Sequence, residues 1–115
     1  MKFVKSVEAV GESNSKSCNV LEYPLGDKDI DLAVAVITSR YPEKGHCVNM
    51  ASKELIYILE GCGAIHCENE SIDFSAGDSI LIDTGEKYYW ETEYCKVTIT
   101  CAPAWNIEQY RLIIK

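Results

Sequence analysis

The sequence has little of what several large classes of protein require. It has no apolar run of the roughly 7 to 15 residues that a secretory signal needs in its opening stretch, MKFVKSVEAVGES, and nowhere a run long enough to span a bilayer. The expectation is a cytoplasmic protein with no membrane partner. Basic residues are scarce: eleven Lys and Arg stand against eighteen Asp and Glu, a formal charge of -7. A nucleic acid would be repelled rather than steered in. There is no C-x-x-C pair, and the nearest two of the six cysteines, Cys62 and Cys67, are five residues apart. That spacing misses the usual structural zinc sites. In a reducing compartment Cys18, Cys47, Cys62, Cys67, Cys95 and Cys101 read as free thiols. No internal repeat and no low-complexity segment is found.

Helical signals are missing too. No window of a dozen residues carries an apolar stripe at helical spacing. What is present instead is a series of short segments rich in Val, Ile, Tyr and Thr, among them NVLEYP, IDLAVAVITSR, ELIYILE, AIHCE, SILIDT, KYYWE and KVTITC. These predict strands. Between them lie LGDKD, PEKG, EGCG, ENE, SAGD and DTGE, whose Gly, Pro, Asn and Asp suit tight turns. Such gaps are too short for crossover helices, so the sheet is expected to be antiparallel and the class all-β. At 115 residues the chain is expected to form a single domain. Residues 1–17 read as an arm: an N-terminal strand, KFVKSVEAV, then the polar connector GESNSKS. The strand's alternation suits an edge contact in a homodimer.

The stretch from Gly45 to Gly61, GHCVNMASKELIYILEG, carries a Glu followed seven residues later by a Gly, Glu54 and Gly61. From Gly77, GDSILIDTGEKYYW places a short strand, a Gly turn at Gly85 and an aromatic at Tyr88. In order and at this interval, the two stretches resemble the paired motifs of the cupins. The resemblance implies an antiparallel jelly-roll β-barrel around a small-molecule pocket. In the cupin pattern the first motif supplies two His and the Glu, and the second supplies a third His, to hold a metal. Here Cys47 and Asn49 stand at the two His positions, Asp83 at a Pro position and Tyr88 at the last His. Only Glu54 survives from that set.

Residues i and i+2 of a strand share a face about 7 Å apart, which is why the motif can converge on an ion. An amide and an unperturbed phenol are poor ligands for the usual transition metals. No cofactor is therefore expected. The alternative is a divalent metal held by Cys47 and Glu54 with the adjacent His46. Without a metal, Glu54 inside a barrel must be paired, hydrogen-bonded or protonated, and Asn49 and Tyr88 are its expected partners. Alternation along KYYWE puts Trp90 on the face of Tyr88. The expected pocket is therefore Cys47, Asn49, Glu54, Tyr88 and Trp90.

The resemblance permits two functions for these residues. One is a small-molecule-binding barrel without chemistry. The other is a metal-independent isomerase or epimerase acting on a carbohydrate-like or hydroxy-acid substrate, with Glu54 as base and Tyr88 donating to a ligand oxygen. A metal-dependent oxygenase is disfavoured by the missing His ligands.

Overall fold

Alternating apolar and polar residues build nine strands in the computed structural model, which describes residues 1–114. They are β1 Val10–Ser15, β2 Cys18–Tyr23, β3 Leu32–Ile37, β4 His46–Asn49, β5 Lys53–Cys67, β6 Ser71–Ser75, β7 Ser79–Ile82, β8 Tyr88–Ala102 and β9 Tyr110–Ile113. Two single 3-10 turns, Ser6–Glu8 and Ile107–Gln109, complete the regular structure. Every strand pairing is antiparallel.

The axis of the fold is the ribbon made by β5 and β8, each 15 residues long, paired from Lys53 opposite Ala102 to Cys67 opposite Tyr88. Its register slips twice, between Ile58 and Glu60 and between Cys62 and Ala64. Extra residues of this kind bend a strand and raise its twist. The two halves of the ribbon then take different neighbours. The Glu54 end of β5 pairs with β7 while β8 there pairs with β3, followed by β2 and β1. The other end pairs with β6, and β8 there meets β4, followed by β9. The sheet thus curls round a common interior, which is how the jelly roll avoids long exposed edges.

EGCG, read from the sequence as a hairpin turn, lies inside β5. Gly61 has φ +85°, and a Cβ there would stand 2.1 Å from the Tyr94 carbonyl oxygen. The same left-handed conformation that marks a tight turn here serves a bulge, so ELIYILE and AIHCE are one strand. The N-terminal arm also differs from expectation. The strand lies at Val10–Ser15, on the stretch expected to be a connector, while residues 1–9 hold only the turn at Ser6–Glu8. β1 pairs with β2 of the same chain and is exposed along most of its length. An edge strand with both faces near solvent needs no apolar row, so its polar sequence hid it. Lys2 reaches the chain's own Gly26 carbonyl, 3.1 Å away, rather than a free edge.

Apolar side chains pack the core: Ala35, Cys47, Ile56, Ile58, Cys95 and Val97 are all fully buried. Phe74 packs edge-on against Trp90, with ring centroids 5.5 Å apart. Such a pair adds packing and orientation to the area it buries.

Candidate functional site

Alternation along β5 sends Glu54, Ile56 and Ile58 inward and Leu55 and Tyr57 outward. Glu54 is the one charged member of that inward row, and it is only 6% exposed. Both hydrogen bonds to its carboxyl reach the same oxygen. The Asn49 amide donates to Oε1 at 2.8 Å and the Tyr88 hydroxyl donates to it at 3.1 Å. Among the described residues no buried side-chain nitrogen or oxygen lacks a partner. Oε2, which receives no bond, is therefore the oxygen left open to the cavity that Glu54 lines.

Burial pushes the Glu54 carboxyl above its ordinary value of 4.5, the bonds from Asn49 and Tyr88 pull it back in part, and Asp31 raises it further. Because Oε1 already accepts two hydrogen bonds, the neutral carboxyl carries its proton on Oε2, facing the cavity. Burial, followed by the neighbouring Glu54 carboxyl, holds the Tyr88 phenol well above its ordinary range. Tyr88 therefore keeps its proton and directs it at Glu54. Asn49 and Tyr88 are thus the partners of Glu54, as expected from the sequence.

The support behind Glu54 is equally specific. Asn49 Oδ1 accepts from Gln109 Nε2 at 2.8 Å, and the Asn49 carbonyl accepts from the Gly85 amide at 2.8 Å. Gln109 Oε1 in turn accepts from the amides of Ala51 and Ser52, each at 3.1 Å. These bonds orient the Asn49 amide so that its N–H, not its oxygen, meets the carboxyl. Gln109, Tyr41 and Tyr110 escaped the sequence reading because their contacts join positions some sixty residues apart, which no local pattern records. Tyr110 shares a 2.8 Å hydrogen bond with Cys47 Sγ and a 3.1 Å bond with Tyr41.

The cavity in front of Glu54 measures about 790 Å³, inside the range of roughly 300–1,000 Å³ common for small-molecule sites. Trp90, Trp105, Ile37, Ile99 and Cys101 contribute to its walls. Along VTITC it is thus the Ile99 and Cys101 face, not the Thr98 and Thr100 face, that meets the cavity. Of the five pocket residues expected from the sequence, Glu54, Tyr88 and Trp90 line it. Cys47 and Asn49 stand behind the wall, 0% and 1% exposed. Cys47 lies opposite Tyr88 in the ladder, with its thiol engaged by Tyr110. Burial pushes that thiol up to about 12, against the pull of the Tyr110 hydrogen bond.

These groups do not fit a divalent metal. The Asn49 amide N–H occupies the Glu54 oxygen, the Cys47 thiol is held protonated, and His46 lies on the opposite face of β4, edge-on to Tyr89 at 5.4 Å. Among the described residues no three His, Cys, Asp or Glu side chains converge.

No protein-family model matches the sequence, and no curated protein matches it. Solved structures do match the fold. The Streptomyces protein Pac13, a nucleoside dehydratase, aligns with a TM-score of 0.85 at 17% identity, over 99% of this chain and 92% of its own. The polyketide cyclase RemF from Streptomyces resistomycificus aligns with a TM-score of 0.75 at 16% identity, over 100% and 87%. An RmlC-like cupin from Shewanella frigidimarina gives 0.73 at 12% identity, over 89% and 90%. With its antiparallel curled sheet, its glycine-marked turns and Glu54 facing the interior, the chain has the cupin fold.

Proposed function

We propose that the barrel binds a small organic molecule and that Glu54 exchanges a proton with it, without a metal, in an isomerase- or epimerase-type reaction. One observation carries this reading: a buried carboxyl whose proton-bearing oxygen is open to a ligand-sized cavity while its other oxygen is held by Asn49 and Tyr88. A carboxyl raised toward neutrality serves as acid when protonated and base when ionised, and such positioned groups are worth about 10²–10⁴-fold in rate. Tyr88 and Asn49 hold the carboxyl's orientation in both states. The fold likeness to a nucleoside dehydratase and a polyketide cyclase supports the view that such a barrel carries enzymes acting on small molecules. The proposal extends to a cytoplasmic location, where free thiols stay reduced, and to a homodimer, which light scattering checks.

Incubating the protein with a small-molecule cell extract in deuterated water, and following deuterium uptake or conversion by mass spectrometry, tests the proton exchange. The wild type is expected to label or convert one compound, and Glu54→Gln to do so about 100-fold more slowly or worse. Equal rates would remove Glu54 from the chemistry. A compound retained by both proteins but labelled by neither would leave a binding barrel only.

A further inference from the structure

The charge of the cavity wall is one-sided. Its charged side chains are Glu12, Glu22, Asp27, Asp31 and Glu54, and among the described residues no Lys, Arg or His lines it. Lys2 stands 3.7 Å from Asp27 on the outside. Glu22 shares the inward face of β2 with Cys18 and Val20, which also line the cavity. Its carboxyl is raised first by burial and then by the like charges of Glu12 and Asp31, with no hydrogen bond among the causes. Asp31 is held by backbone amides: Cys101 donates to Oδ1 at 2.9 Å and Trp105 donates to Oδ2 at 2.8 Å. The rest of the wall is aromatic and aliphatic, with Trp90, Trp105, Tyr23, Tyr41 and Tyr110 among it.

An anion entering this space would meet like charges, and among the described residues no cation on the wall to receive it. A cation would relieve the repulsion around Glu22, and aromatic faces attract cations as well. We propose that the ligand of the barrel is an organic cation, a protonated amine on an apolar ring-sized body, with its charge near Glu22 and Asp31 and its body against Trp90 and Ile99. This rests on reading the barrel as the ligand site and narrows its substrate class. A hydroxy acid, one of the substrates expected from the sequence, is the wrong charge for this wall. A cation seated here also favours the ionised form of Glu54, so the ligand would itself prepare the base.

Three probes of matched shape test the proposal: 2-phenylethylamine, 2-phenylethanol and 3-phenylpropanoate, titrated by calorimetry and by ligand-observed NMR. The amine is expected to bind at least tenfold more tightly than the alcohol, and the carboxylate not measurably. Glu22→Gln, at a half-buried side chain outside the Glu54 cluster, is expected to reduce the amine's advantage at least threefold while leaving alcohol affinity unchanged. Carboxylate binding as tight as the amine's, or an amine preference untouched in Glu22→Gln, overturns the proposal. Alcohol binding with no amine preference overturns the charge assignment alone and leaves the Glu54 reading standing. Failure of all three probes to bind overturns both.

Discussion

Glu54→Ala is expected to lower the stability of the protein by about 3 kcal/mol, because it strands the Asn49 amide and the Tyr88 hydroxyl in the interior, at roughly 1–3 kcal/mol for each unsatisfied group. Glu54→Gln should not. A Gln side chain has the same shape, and its Oε1 accepts from Asn49 and Tyr88 in the same geometry. The two variants should also separate in their dependence on pH. The Glu54 carboxyl is raised in the folded protein, so folding favours its protonated form. The stability this gives is fully present below the unfolded value and is lost as pH rises through the folded one, where the unfolded chain binds fewer protons. Glu54→Gln has no such proton to release, so this decline should vanish, and above the folded value the variant should be more stable than wild type. Urea denaturation of the three proteins between pH 4 and pH 9 measures both effects. A Gln variant as unstable as the Ala variant would contradict the hydrogen-bond arrangement.

Gly61→Ala is expected to cost about 4 kcal/mol or to prevent folding, in the range reached only by strain and overpacking at special positions. With φ at +85°, the added Cβ would come 2.1 Å from the Tyr94 carbonyl oxygen and 2.9 Å from Cys95 Cα, both parts of the β8 backbone. Neither neighbour can yield without breaking the ribbon at its bend. Gly85→Ala is the control. Gly85 also has a left-handed φ, +84°, but nothing lies within 4 Å of the Cβ position. Its cost should be the conformational one alone, roughly 1–2 kcal/mol. Equal thermal midpoints for the two variants would mean that β5 does not approach β8 as closely at Gly61 as the structure has it.

The contrast between these glycines shows what the sequence made legible. Both were visible as motif positions, and Glu54 with Gly61, then Gly77 with Gly85, located the barrel and its inward carboxyl. Inward and outward faces followed from alternation, which is why Trp90 accompanies Tyr88 into the cavity. The sequence could not distinguish a turn glycine from a bulge glycine, since both need the same backbone angle. The difference lies in what faces them, β8 for Gly61 and open space for Gly85. It also placed the N-terminal strand on the residues with the apolar pattern, when the edge of the sheet is built from polar ones at Val10–Ser15. Cys47 and Asn49 were read as cavity residues because their motif positions face inward. The structure puts the Tyr110 hydroxyl against one and Gln109 behind the other, and both come from the far end of the chain.

The polarity of the Glu54 cluster is likewise a tertiary result. Asn49 could present oxygen or nitrogen to the carboxyl. Gln109, with its own oxygen committed to the amides of Ala51 and Ser52, donates to Asn49 Oδ1 and so turns the Asn49 N–H toward Glu54. A residue sixty positions away thereby decides which oxygen of Glu54 faces the cavity, and under the proposed function that oxygen is the one that exchanges the proton.

The titration of Glu54 itself tests this most directly. Carbon-detected NMR of protein labelled at the glutamate side-chain carboxyl, with Glu54→Gln to assign the resonance, reads its protonation with the barrel free and with 2-phenylethylamine bound. The account predicts that Glu54 titrates above 4.5 in the free protein and moves downward when the amine is seated. A Glu54 that titrates at its ordinary value and does not respond to a molecule in the cavity would contradict it.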